Sequence, residues 1–72
     1  MYTLTQKIQT KSGSIINKPI GTYFFTAEGL AMYVISMNTS NMYVTKWSDN
    51  PTKPDATFIE ETPLADFLGA LQ

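Results

Sequence analysis

Thr26-Ala27-Glu28-Gly29-Leu30-Ala31-Met32-Tyr33-Val34-Ile35-Ser36-Met37-Asn38-Thr39-Ser40-Asn41-Met42-Tyr43-Val44-Thr45-Lys46-Trp47 is the stretch on which the fold turns. It carries the tripeptide Met-Tyr-Val twice, at 32–34 and 42–44, separated by the polar turn formers Asn38 to Asn41. Two readings compete for its first half. Thr26 can cap a helix that runs on through Leu30, Ala31, Val34 and Met37. Alternatively, Ala27-Glu28-Gly29 is a turn and a strand starts near Met32. The second is preferred, because Tyr33-Val34-Ile35 favours a strand and Gly29 weakens a helix. Residues 32–37 and 42–47 then form a central hairpin closed by a four-residue loop. Met42 to Trp47 is a strand on either reading.

Working outward, Tyr2 to Thr10 alternates. Tyr2, Leu4 and Ile8 share one face, Thr3, Thr5, Lys7 and Gln9 the other, and Gln6 interrupts the apolar side. Ser12-Gly13 marks a turn into a short return strand, Ser14 to Ile16, which Pro19 ends or confines to an edge. Thr22 to Phe25 is an aromatic run with strand preference. Asp49 to Asp55, with Pro51 and Pro54, is a loop. Ala56 to Glu60 reads as a last strand. Thr62-Pro63 starts a helix, with Thr62 as cap and Pro63 in the first turn. Leu64, Phe67, Leu68 and Leu71 recur at helical spacing as one apolar stripe, expected to be buried against a sheet.

These elements make one domain, residues 1–72, of class α+β: a small, mainly antiparallel sheet of four to five strands with one C-terminal helix packed on one face. A 72-residue chain buries only about 60% of the surface it exposes when unfolded, so its core is thin. With no Cys, disulfides cannot supplement it, and with no His a structural zinc site is not expected. Oligomerisation and partner binding remain.

The composition also limits the chemistry. Without Cys or His there is no thiol nucleophile and no imidazole base. Glu60 and Glu61 are adjacent, and strand neighbours point to opposite faces, so they cannot easily share one ion. Asp49, Asn50 and Asp55 lack the spacing of a calcium loop. No glycine-rich phosphate loop is present. The expectation is a protein that is not an enzyme and uses no metal or cofactor. Five lysines, six acidic residues and no arginine argue against a nucleic-acid surface. Nothing in the sequence is long and apolar enough to span a membrane, and Met1 to Lys7 lacks the apolar segment of a signal peptide, so a cytoplasmic protein is expected. Asn38-Thr39-Ser40 matches a glycosylation sequon, read here as an ordinary turn.

What remains is binding. Pairing Met37 with Met42 in the expected hairpin leaves both of its faces substantially apolar, and one helix can cover only one of them. Met32, Tyr43, Thr45 and Trp47 then form the exposed contact face, with Lys46 at its border. The expected partner is another protein or a second copy of this chain. A small factor of the kind that phages and viruses encode fits this description, blocking or redirecting a host macromolecule through a sheet face or a sheet edge. Two alternatives use the same residues. One is single-strand nucleic-acid binding, with Tyr33, Tyr43 and Trp47 stacking bases and Lys7, Lys11, Lys18 and Lys46 along the backbone. The other is an oligomer that holds a small nucleotide-like ligand.

Overall fold

The computed structural model describes residues 1–37 and 40–71. The chain forms β1 (Tyr2–Gln9), β2 (Ile15–Phe24), α1 (Ala27–Val34), β3 (Met42–Trp47), β4 (Phe58–Pro63) and α2 (Leu64–Ala70). The strands make one antiparallel sheet in the order β2-β1-β3-β4. This is a small α+β fold with α2 packed on one face, as expected, but with a second helix in place of the central hairpin.

The preference for a strand at 32–37 is therefore corrected. Residues 27–34 are helical, and β3 pairs with β1 and β4 instead. The topology supplies the reason. β1 lies between β2 and β3, so those two strands run parallel, and the chain leaving β2 must cross the sheet to reach β3. Crossings of this kind are made over a sheet face, usually by a helix. The energetics agree. Gly29 costs the helix about 1 kcal/mol. Against that, Leu30 and Val34, four residues apart, point into the core at 0% and 3% exposure. Burying a side chain of this size contributes about 1.5–3 kcal/mol. Thr26 completes the start of the helix, its Oγ1 accepting the Gly29 N–H at 3.0 Å. Asn38 and Thr39, within the expected hairpin loop and the sequon, lie outside the described residues.

Both helices cover the same side of the sheet. Leu4 pairs with Val44 and Gln6 with Met42, so these side chains leave the sheet together. Leu4, Met42 and Val44 join Leu30, Val34 and Leu64 in one buried cluster. Phe67 of α2 meets Tyr2 edge-on, and Tyr33 of α1 meets Phe24. Gln6, the break in the apolar side of β1, turns its amide toward the Ser40 carbonyl at 3.3 Å. Among the described residues no helix is long and apolar enough to cross a membrane.

Several boundaries differ from expectation. β2 does not stop at Pro19 but runs on to Phe24, bulged at Gly21, whose φ of +69° suits glycine. There the Tyr33 hydroxyl lies 3.3 Å from where a Cβ would stand. β4 spans 58–63, so Thr62 is a strand residue opposite Val44, and α2 begins after Pro63 with no side-chain cap. Of the helical stripe, Leu64 is buried, Phe67 and Leu68 are half-buried and Leu71 is exposed. The proline loop is held locally. The Asn50 backbone N–H and the Lys53 ammonium bind the Asp49 carboxylate and hold its pKa below the usual carboxylate range.

Candidate binding face

The side of the sheet opposite the helices carries the odd-numbered residues of β1 and β3. Its geometry follows from the hydrogen-bond ladder. Lys7 N–H donates to Asn41 O at 2.9 Å, and Trp47 N–H donates to Met1 O at 2.8 Å. Odd positions of β1 therefore bond to β3, and even positions bond to β2. Across the sheet one row reads Pro19, Thr5, Tyr43, Pro63. Pro19 and Pro63 both fall where the backbone nitrogen faces away from the sheet. Each outer edge is thus missing a donor that an added strand would need, which is how edge strands resist pairing.

Two rows further along lies an aromatic end. The Trp47 indole N–H donates to Thr3 Oγ1 at 2.8 Å, reaching from β3 to β1. On its other side the indole meets Phe58 of β4 edge-on, ring centroids 6.3 Å apart. Tyr23 and Phe25 form a second edge-on pair on β2 at 5.7 Å. Phe25 is 73% exposed and Phe58 58% exposed. In the other direction from Tyr43, Lys7 reaches across three strands. Its Nζ lies 4.1 Å from the centroid of the Tyr43 ring and 3.1 Å from Glu61 Oε1. Both partners of this ion pair are partly exposed, so it contributes at most about 1 kcal/mol. Its larger effect is on charge. By alternation Lys7 and Glu61 are the ionised strand residues on this side, while Lys18, Lys46 and Glu60 leave the sheet on the helix side.

Of the expected contact residues, Tyr43, Thr45 and Trp47 stand on this helix-free face. Met32 does not: it lies on α1, on the other side of the sheet, 71% exposed. Lys46 alternates with Trp47 and leaves on the helix side. Thr3, Lys7, Phe58 and Glu61 join the face without having been singled out for it. The period-two pattern of β1 already set Thr3 and Lys7 on its polar side, but which strands would flank β3 was not readable from local pattern. Tyr33, grouped with Tyr43 and Trp47 as a stacking platform, is on α1 against Phe24, so that trio is not assembled.

A shallow concavity of about 220 Å³ lies at the Lys7 end, lined by Lys7, Gln9, Ile15, Asn41 and Tyr43. Pockets for cofactor-sized ligands usually run to roughly 300–1,000 Å³. Its size suits a single side chain better than a nucleotide. Among the described residues no three of Asp, Glu, His and Cys gather at one point. Comparison with protein families, curated proteins and solved structures finds no match for this chain.

Proposed function

We propose that this chain is a non-catalytic binding protein that docks through the helix-free face of its sheet on a protein surface, that of another protein or of a second copy of itself. The observation that carries the reading is the character of that face. Antiparallel sheets commonly leave one side to solvent, and that side is then polar. Here it presents Tyr23, Phe25, Tyr43, Trp47 and Phe58 around threonines, with one internally paired Lys and Glu. Aromatic enrichment with depletion of charge is the signature of an interface core. Trp47 is also held in place before any partner arrives, by Thr3 and Phe58, which lowers the entropy cost of using it as an anchor. The edges, interrupted by Pro19 and Pro63, favour the face over strand addition. Such a protein acts by occupying a partner's surface, blocking or redirecting it.

The test pairs stability with affinity. Thr45→Lys adds a net positive charge at the centre of the face, across from Glu61, whose charge Lys7 already balances, without touching the buried cluster. It is expected to abolish capture of the partners that the parent retains from a lysate, with the melting temperature little changed. Capture unaltered by Thr45→Lys would contradict the proposal. The stacking alternative is read in the same samples: binding to single-stranded oligonucleotides that falls steeply with salt would replace it.

A further inference from the structure

We infer that the helix-free face is closed by a second copy of this chain, sheet against sheet, giving a dimer with four layers in the order helix, sheet, sheet, helix. The inference rests on the binding reading above and names its occupant. Four observations lead to a second copy.

The first is charge. A two-fold interface sets a surface against itself, so a surface with net charge repels its own copy. Lys7 and Glu61 lie 3.1 Å apart and cancel, and the other strand residues on the face are uncharged. A strongly acidic or basic partner gains nothing from such a face, whereas an identical neutral face meets no repulsion.

The second is area. The molecule measures 34 × 31 × 18 Å, and its four strands of six to ten residues, about 4.8 Å apart, make a sheet face roughly 19 Å wide and about 25 Å long. That flat area, on the order of 500 Å² before the projecting side chains are counted, suits an interface at the small end of the specific range. The third is shape. A twisted sheet accepts a similarly twisted sheet at about −30°, their inner side chains interdigitating over about 10 Å. The projecting aromatics and the concavity lined by Lys7, Gln9, Ile15, Asn41 and Tyr43 supply both halves of such a fit.

The fourth is the size of the core. Among the described residues, six make up the buried cluster: Leu4, Leu30, Val34, Met42, Val44 and Leu64. Domains this small usually gain stability from disulfides, metals or association, and a chain without Cys or His has association left to it. The blunted edges direct that association to the face. Edge pairing would also continue from copy to copy, whereas a two-fold face contact closes at two.

The experiment is sedimentation equilibrium of the full chain from micromolar to millimolar concentration, with two variants. Thr45→Lys charges the face, and Met32→Lys charges the exposed outer side of α1. The expected result is a dimer for the parent and for Met32→Lys, and a dissociation constant raised at least about tenfold for Thr45→Lys, with all three chains melting cooperatively. A parent that stays monomeric throughout overturns the inference, and so does a dimer broken by Met32→Lys but not by Thr45→Lys. Association beyond two, sensitive to neither variant, overturns it as well. These outcomes are distinct from failure of the binding reading itself, which is read from whether Thr45→Lys still captures the parent's partners.

Discussion

Trp47 and Thr3, on neighbouring strands, are joined side chain to side chain by a 2.8 Å hydrogen bond from the indole N–H to the threonine hydroxyl. The bond sets the largest side chain of the helix-free face in one orientation. It also satisfies the polar end of a half-buried indole, which would otherwise need water at an interface. Thr3→Val removes the acceptor while keeping the shape. The expected cost is about 0.5–1.5 kcal/mol of folding stability by thermal melting, together with weaker association as Trp47 loses its fixed orientation. Trp47→Ala is expected to weaken association by at least about 2 kcal/mol if Trp47 is an interface anchor. Unfolding of Trp47→Ala would show instead that the indole belongs to the core.

The stability of the fold rests on the cluster between sheet and helices. Leu30→Ala, at the wholly buried centre of α1, is expected to cost about 2–5 kcal/mol and to leave little folded protein by circular dichroism. Phe67→Ala is expected to be milder, because Phe67 packs against the buried cluster and Tyr2 while staying half-buried. A fully buried Phe→Ala costs about 3–5 kcal/mol, and roughly half of that is expected here. Equal losses from the two substitutions would mean that α2 packs more deeply than it does here.

Helix α1 depends on its cap. Thr26→Ala removes the acceptor for the Gly29 N–H and is expected to destabilise the protein by about 0.5–2 kcal/mol in chemical denaturation. Thr26→Ser, which keeps the oxygen, is expected to recover most of the loss. A Thr26→Ala variant as stable as the parent would leave α1 without its start signal.

Pro19 and Pro63 keep the two sheet edges from accepting strands. Pro19→Thr and Pro63→Thr restore an outward N–H at each edge, at the ends of the row through Thr5 and Tyr43. The double variant is expected to associate beyond the parent's state and to bind an amyloid dye on standing at concentrations where the parent does not. Unchanged behaviour would show that the edges are protected by something other than proline.

Much of this arrangement is legible in the residues, for identifiable reasons. The alternation in Tyr2 to Gln9, the turn at Gly13, the proline loop and the stripe at Leu64, Phe67 and Leu68 are local patterns, and each produces its element. The alternation of β3 likewise separates Tyr43, Thr45 and Trp47 from Met42 and Val44. What local pattern could not supply was the order of strands. Tyr33-Val34-Ile35 has strand-like propensity, and only the need to cross β1 between β2 and β3 makes that region helical. Met32 shares a face with Tyr43 and Trp47 only in a 32–47 hairpin, and the helix at 27–34 places it on the other side of the sheet. Lys7 and Glu61 were missed as neighbours for the same reason. They lie 54 positions apart in sequence and meet only because β3 lies between β1 and β4.

The helix-free face carries its own probe of contact, since Trp47 is the single tryptophan of the chain. The most direct measurement is collisional quenching of Trp47 fluorescence by acrylamide, first in dilute protein and then in the associated state, whether with a second copy or with another partner. The quenching constant is expected to fall severalfold on association in the parent and in Met32→Lys, because the face is covered. A Trp47 as accessible in the complex as in the free protein would contradict it, and would place the contact surface elsewhere on the molecule.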